Sequence, residues 1–207
     1  MHCPYLWVVT DGMSEVPFLR AVPHDTAHTA DHASAVAALF DAAAEVTAPP
    51  HTTVTVGPTP QRLAPYAFTL LADLSDDESG LSASGRFVLL HDPAGHPGWQ
   101  GSWRVVSYLR AEVDEQMAAD PLLPEVAWTW MQEAWQQFGV DAGEPSGTVT
   151  CTQSRPFGQM DDRSASADVE IRCSWTPVAQ TDGLIDVVAN VKAWLSVMST
   201  AAGLPQT

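Results

Sequence analysis

The sequence predicts an α+β fold in which a single antiparallel five-stranded sheet carries its helices mainly on one face. Five short segments alternate apolar and polar residues, as in strands with one buried face. Three longer segments repeat apolar residues every three or four positions, as in amphipathic helices. Turn residues separate the segments. The predicted order is helix, three strands, helix, two strands, helix.

The length of 207 residues suits one domain with a sizeable core. Residues 1–29 mix Pro, His, Thr and Ala without sustained periodicity, and we expect them to form a disordered or loosely attached arm. Residues 30–207 are predicted to form a single α+β domain. Within the arm, Met13 is an alternative start to Met1.

The first half of the domain is predicted to hold one helix and three strands. Asp31 can cap a helix over residues 31–45, which consecutive prolines then end. An acidic loop at residues 75–80 has the composition of a hairpin tip and lacks the ligand spacing of a calcium loop. The three strands are predicted at residues 66–74, 84–91 and 99–113, the last starting at either 99 or 102.

The second half is predicted to hold two helices around a hairpin. Residues 125–138 and 183–200 have the helical repeat, and Gly139 and Gly203 follow their ends. The hairpin strands are predicted at residues 148–153 and 168–175. If this hairpin is centred near Asp162, Cys151 and Cys173 lie opposite one another, either as two separate thiols or close enough to bond.

The charge balance restricts the possible partners. Nine basic and 25 acidic side chains give a net charge of −16, which repels phosphate backbones, so we do not expect nucleic-acid binding. No apolar run is long enough for a membrane span. The short apolar run at residues 5–9 has no basic residue before it and no cleavage site after it, so we do not expect it to be a secretory signal. Three cysteines make a poor disulfide framework, which favours the reducing cytoplasm.

The loop after the second predicted strand is the best candidate for an enzyme site. His91, Asp92 and His96 supply two imidazoles and a carboxylate, which could act as an acid and base pair. Arg86 or Arg104 would hold an anion there. No nucleophile accompanies them, and Asp, Pro and Gly also suit a plain connection, so the set is incomplete. Like Arg110 and Arg172 on predicted strands, these arginines could instead pair with neighbouring carboxylates.

The alternative candidate is a protein-binding surface formed by Trp99, Trp103 and Trp130. Trp130 points about 200° away from Trp128 on its helix, so it lies on a second apolar edge with Val126 and Ala134. No cofactor site and no metal site are predicted. Three further histidines are spaced four residues apart: His24, His28 and His32. At most, we expect them to bind a metal ion adventitiously.

Six motifs resemble those of the actinobacterial family known as domain of unknown function 3000. They are QRLAPYA (61–67), GRFVLLHDP (85–93), DPLLPE (120–125), PSGTVT (145–150), SWTP (174–177) and TAAGLP (200–205). The resemblance implies an intracellular protein and supplies no catalytic residue or cofactor. Genes for members of this family tend to lie near a gene for a ribonuclease-D-like exonuclease. The resemblance therefore also implies an accessory role in RNA processing.

Because catalytic machinery is incomplete, we predict a non-catalytic protein-binding, adaptor or chaperone-like module. The order of elements is similar to that of small acidic chaperones of bacterial secretion substrates, although shared topology does not establish function. The partner would be another protein or a second copy of the chain. The alternatives are a small enzyme with its site between residues 91 and 96, or an accessory factor in RNA processing.

Overall fold

A computed structural model describes residues 26–60, 62–76, 78–160 and 164–204. In these residues it has one six-stranded antiparallel sheet and four α-helices, which confirms the predicted α+β class. The predicted arm, residues 1–29, lies largely outside the described residues. Within the described ranges, no helix is both long and apolar enough to cross a membrane.

The strands form a sheet in the order β1-β2-β3-β4-β6-β5, with each neighbouring pair antiparallel. In chain order they are β1 (Thr52–Val56), β2 (Tyr66–Asp76), β3 (Leu81–His96), β4 (Gly101–Glu112), β5 (Ala142–Ser154) and β6 (Ser166–Pro177). The helices are α1 (Thr26–Ala44), α2 (Glu115–Ala118), α3 (Leu123–Gln137) and α4 (Val187–Ala201).

The predicted count of five strands and the predicted order are wrong, because two short elements were not expected. β1 is a five-residue edge strand of alternating Thr and Val that pairs only with β2. Its β-branched residues favour a strand, but nearby prolines gave the segment the composition of a connection. α2 has only four residues, too few to show a helical repeat, and Asp114 caps it by accepting from the Gln116 backbone N–H.

Three helices pack on one face of the sheet, as predicted. α4 lies over β3 and β4, α1 contacts β1 and β2, and α3 contacts β5. Aromatic pairs fix this layer: Phe40 of α1 stacks on Phe68, Trp194 of α4 contacts Phe87, and Trp135 of α3 contacts Trp175. The core therefore lies between the helices and the odd-numbered side chains of β3, β4 and β6.

The helices end close to residues that the sequence marks, but all three predicted helices begin elsewhere, and α3 begins at Leu123, two residues before the predicted start. α1 begins at Thr26 and so extends into the predicted arm. α4 begins at Val187, where the carboxylate of Asp186 accepts from the Ala189 N–H, and not at residue 183. Gly139 after α3 and Gly203 after α4 have φ of 66° and 83°, the left-handed conformation in which glycine commonly ends a helix.

The register of the β5–β6 hairpin separates Cys151 and Cys173, which would lie opposite one another only if the hairpin were centred near Asp162. Ser154 pairs with Ser166, which centres the hairpin on residue 160, two residues before the predicted centre. Cys151 is therefore opposite Val169, Cys173 is opposite Gly147, and both thiols are free. Burial raises the pKa of Cys173 to about 12, so this thiol stays protonated at neutral pH.

Candidate functional site

The first candidate catalytic residue, His91, is buried on the helical face of the sheet, where β3 meets α1. Its ring stacks on Trp103 with 3.8 Å between ring centres. Its Nδ1 lies 2.9 Å from the carbonyl oxygen of Ser102, and its Nε2 lies 2.8 Å from Nε2 of His32. Both ring nitrogens of His91 are therefore engaged within the fold.

These contacts fix the protonation of His91. The Ser102 carbonyl can only accept, so Nδ1 carries a proton, and in the neutral ring Nε2 accepts from the Nε2–H of His32. Burial lowers the pKa of His91 below its usual range; the contact with Ser102 opposes this change, and His32 adds to it. A proton on Nε2 of His91 would face the Nε2–H of His32, so this contact disfavours the charged form of His91.

We expect the titration of His91 to make the fold less stable as the pH falls below about 6.5. The pKa of His91 is lower in the folded chain than in the unfolded chain, so the unfolded chain takes up more protons in this range. Urea unfolding at about pH 7.5 and about pH 5.5 should show a smaller loss of stability for His91→Gln than for the wild type. Equal losses in the two proteins would contradict this assignment.

The other two candidate catalytic residues support the connection between β3 and β4. A carboxylate oxygen of Asp92 accepts from the Ala94 backbone N–H at 3.0 Å. The ring of His96 stacks on Trp99, and its Nδ1 accepts from the Gly98 N–H at 3.1 Å. Among the described contacts, none brings the side chains of His91, Asp92 and His96 together. Within the described residues these three side chains are not joined by hydrogen bonds, although the Asp92 carboxylate acts electrostatically on His91.

The candidate anion-binding arginines lie on the opposite face of the sheet from His91. Arg104 is buried and donates to the hydroxyl oxygens of Thr176 at 3.0 Å and Ser174 at 2.6 Å. Arg86 is exposed, and within the described residues it makes no hydrogen bond or ion pair. Alternation along β3 and β4 separates both side chains from the helical face.

Two further arginines on that outer face are paired with carboxylates, as the sequence analysis allowed. Arg110 binds Asp168 through two hydrogen bonds of 3.0 and 2.7 Å. Arg172 lies 2.6 Å from a carboxylate oxygen of Glu170 and 5.3 Å from the centre of the Tyr108 ring. The outer face therefore carries compensated charge and not a basic patch around these two residues.

The three candidate interface tryptophans do not share one surface. Trp103 is fully buried, and its Nε1 donates to the Gly183 carbonyl at 2.9 Å. Trp99 is half-buried beside His96 at the β3–β4 connection, whereas Trp130 is half-buried on α3. Trp103 therefore belongs to the core, and only Trp130 adjoins a larger exposed apolar group.

That group is an apolar row on α3, which we name the α3 stripe: Leu122, Val126 and Trp130. Spacing of four residues places the three side chains along one side of the helix. Leu122 is 63% exposed and Val126 is 44% exposed, while Trp130 packs partly against the core. The apolar pattern of the sequence predicts such an edge from Val126, Trp130 and Ala134, but Ala134 is buried.

A cavity of about 590 Å³ opens between the end of α3, the outer side of α4 and the chain that connects α1 to β1. Lys192, His51, Ser196 and Ser199 are among its polar lining residues. Its apolar lining is Ala48, Pro49, Pro50, Phe138, Leu195 and Leu204. Sequence reasoning missed this cavity because its walls come from distant segments; the available signal was that Lys192 is the only lysine of the chain.

Within the described residues, no three His, Cys, Asp or Glu side chains are grouped to hold a metal ion. In the acidic loop, Asp76 accepts from the Glu78 backbone N–H at 3.2 Å and from the Ser79 hydroxyl, which stabilises the turn. Of the three histidines spaced four apart, His32 bonds to His91. The side chains of His24 and His28 lie outside the described residues.

Comparison with known proteins gives a family and no characterised relative. No curated protein and no solved structure matches the chain. The model of one family, described as protein of unknown function (DUF3000), matches residues 28–207. This range includes the α3 stripe and the cavity, as well as the His32–His91 pair. The chain therefore belongs to the DUF3000 family.

Proposed function

We propose that the chain is a non-catalytic protein-binding module that holds a basic amphipathic segment of a partner protein on the α3 stripe. The observation that carries this proposal is the exposed run of Leu122 and Val126 beside Trp130 on one helix. Single exposed apolar residues are common, but a row at helical spacing with an aromatic anchor is typical of a binding face. Contact with the core holds the Trp130 ring in place.

The charge around the stripe selects the partner. Asp120, Glu125 and Glu133 are exposed on or beside α3, within one helical turn of the stripe or just before it. A second copy of a chain with net charge −16 would bring the same carboxylates against these, so a homodimer is disfavoured. A partner rich in Lys and Arg gains attraction instead. An accessory role in RNA processing would then mean binding a basic protein and not RNA.

The alternative of a small enzyme at residues 91–96 has less support. Both ring nitrogens of His91 are bonded within the fold, and the side chains of Arg86 and Arg104 are on the other face of the sheet. Free thiols at Cys151 and Cys173 suit a reducing compartment, so the proposal includes a cytoplasmic location.

Affinity capture with a matched pair of variants tests the proposal. Val126→Glu places a carboxylate in the stripe, and we expect it to reduce capture of the partner by at least about tenfold. Val178→Glu is the control, because Val178 is a similarly exposed valine, at 55%, just after β6. The captured protein should be basic and should dissociate as salt rises from about 0.05 M to about 0.5 M. Equal capture by both variants would overturn the proposal, as would an acidic partner.

A further inference from the structure

We propose that the cavity over α4 binds a small anionic amphiphile, a molecule with an apolar body and one carboxylate that Lys192 holds. This inference is independent of the α3 stripe. It concerns a different surface, and the two can be tested in the same protein with different variants.

The size and walls of the cavity suit the apolar body. Its volume of about 590 Å³ lies within the range of roughly 300 to 1,000 Å³ that small-molecule sites occupy. Phe138, Leu195 and Leu204 come from the end of α3, from α4 and from the residues after α4, and they supply aromatic and aliphatic surface. A hydrocarbon chain or ring placed against them would lose contact with water.

The charge at the cavity selects an anion. The chain has 25 acidic side chains, yet none of those that the structure describes lines this cavity, whereas its only lysine does. Within the described residues, Lys192 makes no ion pair or hydrogen bond. The other basic lining residue, His51, has its Nδ1 3.8 Å from a carboxylate oxygen of Asp76. Lys192 is exposed at this cavity and has no protein carboxylate as a partner within the described residues, so a ligand carboxylate would pair with it.

Other groups at the cavity do not cancel this preference. The end of α3 would carry partial negative charge on its last carbonyls. Two of these are capped, since the Val140 N–H donates to the Trp135 carbonyl at 2.8 Å and the Gly139 N–H donates to the Gln136 carbonyl at 3.3 Å. The Ser199 hydroxyl donates within α4, to the Leu195 carbonyl at 3.2 Å. The charged donor for a ligand is thus Lys192.

Calorimetric titration with decanoate and with decanol, its neutral counterpart, tests the inference. Wild type should bind decanoate at one site, and Lys192→Gln should weaken this binding by up to about fivefold, as for a solvent-exposed ion pair. Lys192→Arg should retain the affinity, and decanol should bind wild type and Lys192→Gln alike. Absence of saturable decanoate binding would overturn the inference, as would tighter binding of decanol or an unchanged affinity in Lys192→Gln.

Two more variants locate the site. Ala48→Trp fills the cavity from the α1–β1 connection and should abolish binding of both decanoate and decanol. Val126→Glu, which disrupts the α3 stripe, should bind decanoate as wild type does. If Ala48→Trp binds decanoate normally, the ligand lies elsewhere and the inference is overturned; if partner capture fails while decanoate binds, only the proposed protein-binding function is affected.

Discussion

Trp194→Ala is expected to lower the free energy of unfolding by about 3–5 kcal/mol, the usual cost of removing a large buried aromatic side chain. Trp194 is fully buried in α4, over the middle of the sheet. Its ring centre lies 5.6 Å from that of Phe87. Its Nε1 has no hydrogen-bond partner among the described residues, so the loss comes from packing. Trp194→Phe, which also removes this unbonded donor, should cost much less.

Urea unfolding measures this cost, with Trp130→Ala as the control because Trp130 is only half-buried. The control should lose clearly less stability than Trp194→Ala. A Cβ on Gly85 would lie 2.8 Å from Cζ2 of Trp194, so Gly85→Ala should cost about 1–3 kcal/mol by overpacking. In the Trp194→Ala background this cost should largely disappear. Equal losses for Trp194→Ala and Trp130→Ala would contradict the central position of α4.

The parts of the fold that could be predicted are those with a local pattern. From Val169 to Trp175, β6 alternates buried and less buried residues, and the helical repeat of α3 and α4 is long and followed by glycine. Such patterns depend on neighbours along the chain, so one sequence contains them. β1 has only five residues beside prolines and forms by pairing with β2, and α2 has only four residues, too few for a helical repeat.

The candidate site was harder to predict because it depends on contacts between distant residues. His32 and His91 are 59 residues apart, and no local spacing links them. In the sequence, Trp103 and Trp130 each belong to a row of apolar residues on one face of an element. In the structure, Trp103 is buried between the sheet and the helices, whereas Trp130 is half-buried at the surface of α3. Which apolar face is covered depends on how the helices pack, and this information is not local.

Arg104→Met is expected to lower the free energy of unfolding by about 2–4 kcal/mol, whereas Arg86→Met should change it by less than about 0.5 kcal/mol. Both arginines are on the outer face of the sheet in adjacent strands. Arg104 is buried and its guanidinium reaches hydroxyl groups on Thr176 and Ser174. Methionine keeps much of the apolar stem but leaves these buried groups without a charged donor. Arg86 is exposed, so its head stays in water in both states.

Arg104 lies beside an irregular part of β5. The destabilisation caused by Arg104→Met should therefore be concentrated in this part of the sheet. The β5–β6 register shifts between Gly143 and Ser146, and Glu144 within this bulge has φ of 46°. Arg104 donates to the Glu144 carbonyl at 3.3 Å and to the Ser146 hydroxyl at 3.4 Å. Hydrogen exchange in Arg104→Met should therefore accelerate first around this bulge. If Arg104→Met were as mild as Arg86→Met, Arg104 would not be needed for the fold, and a role for it in holding an anion would regain support.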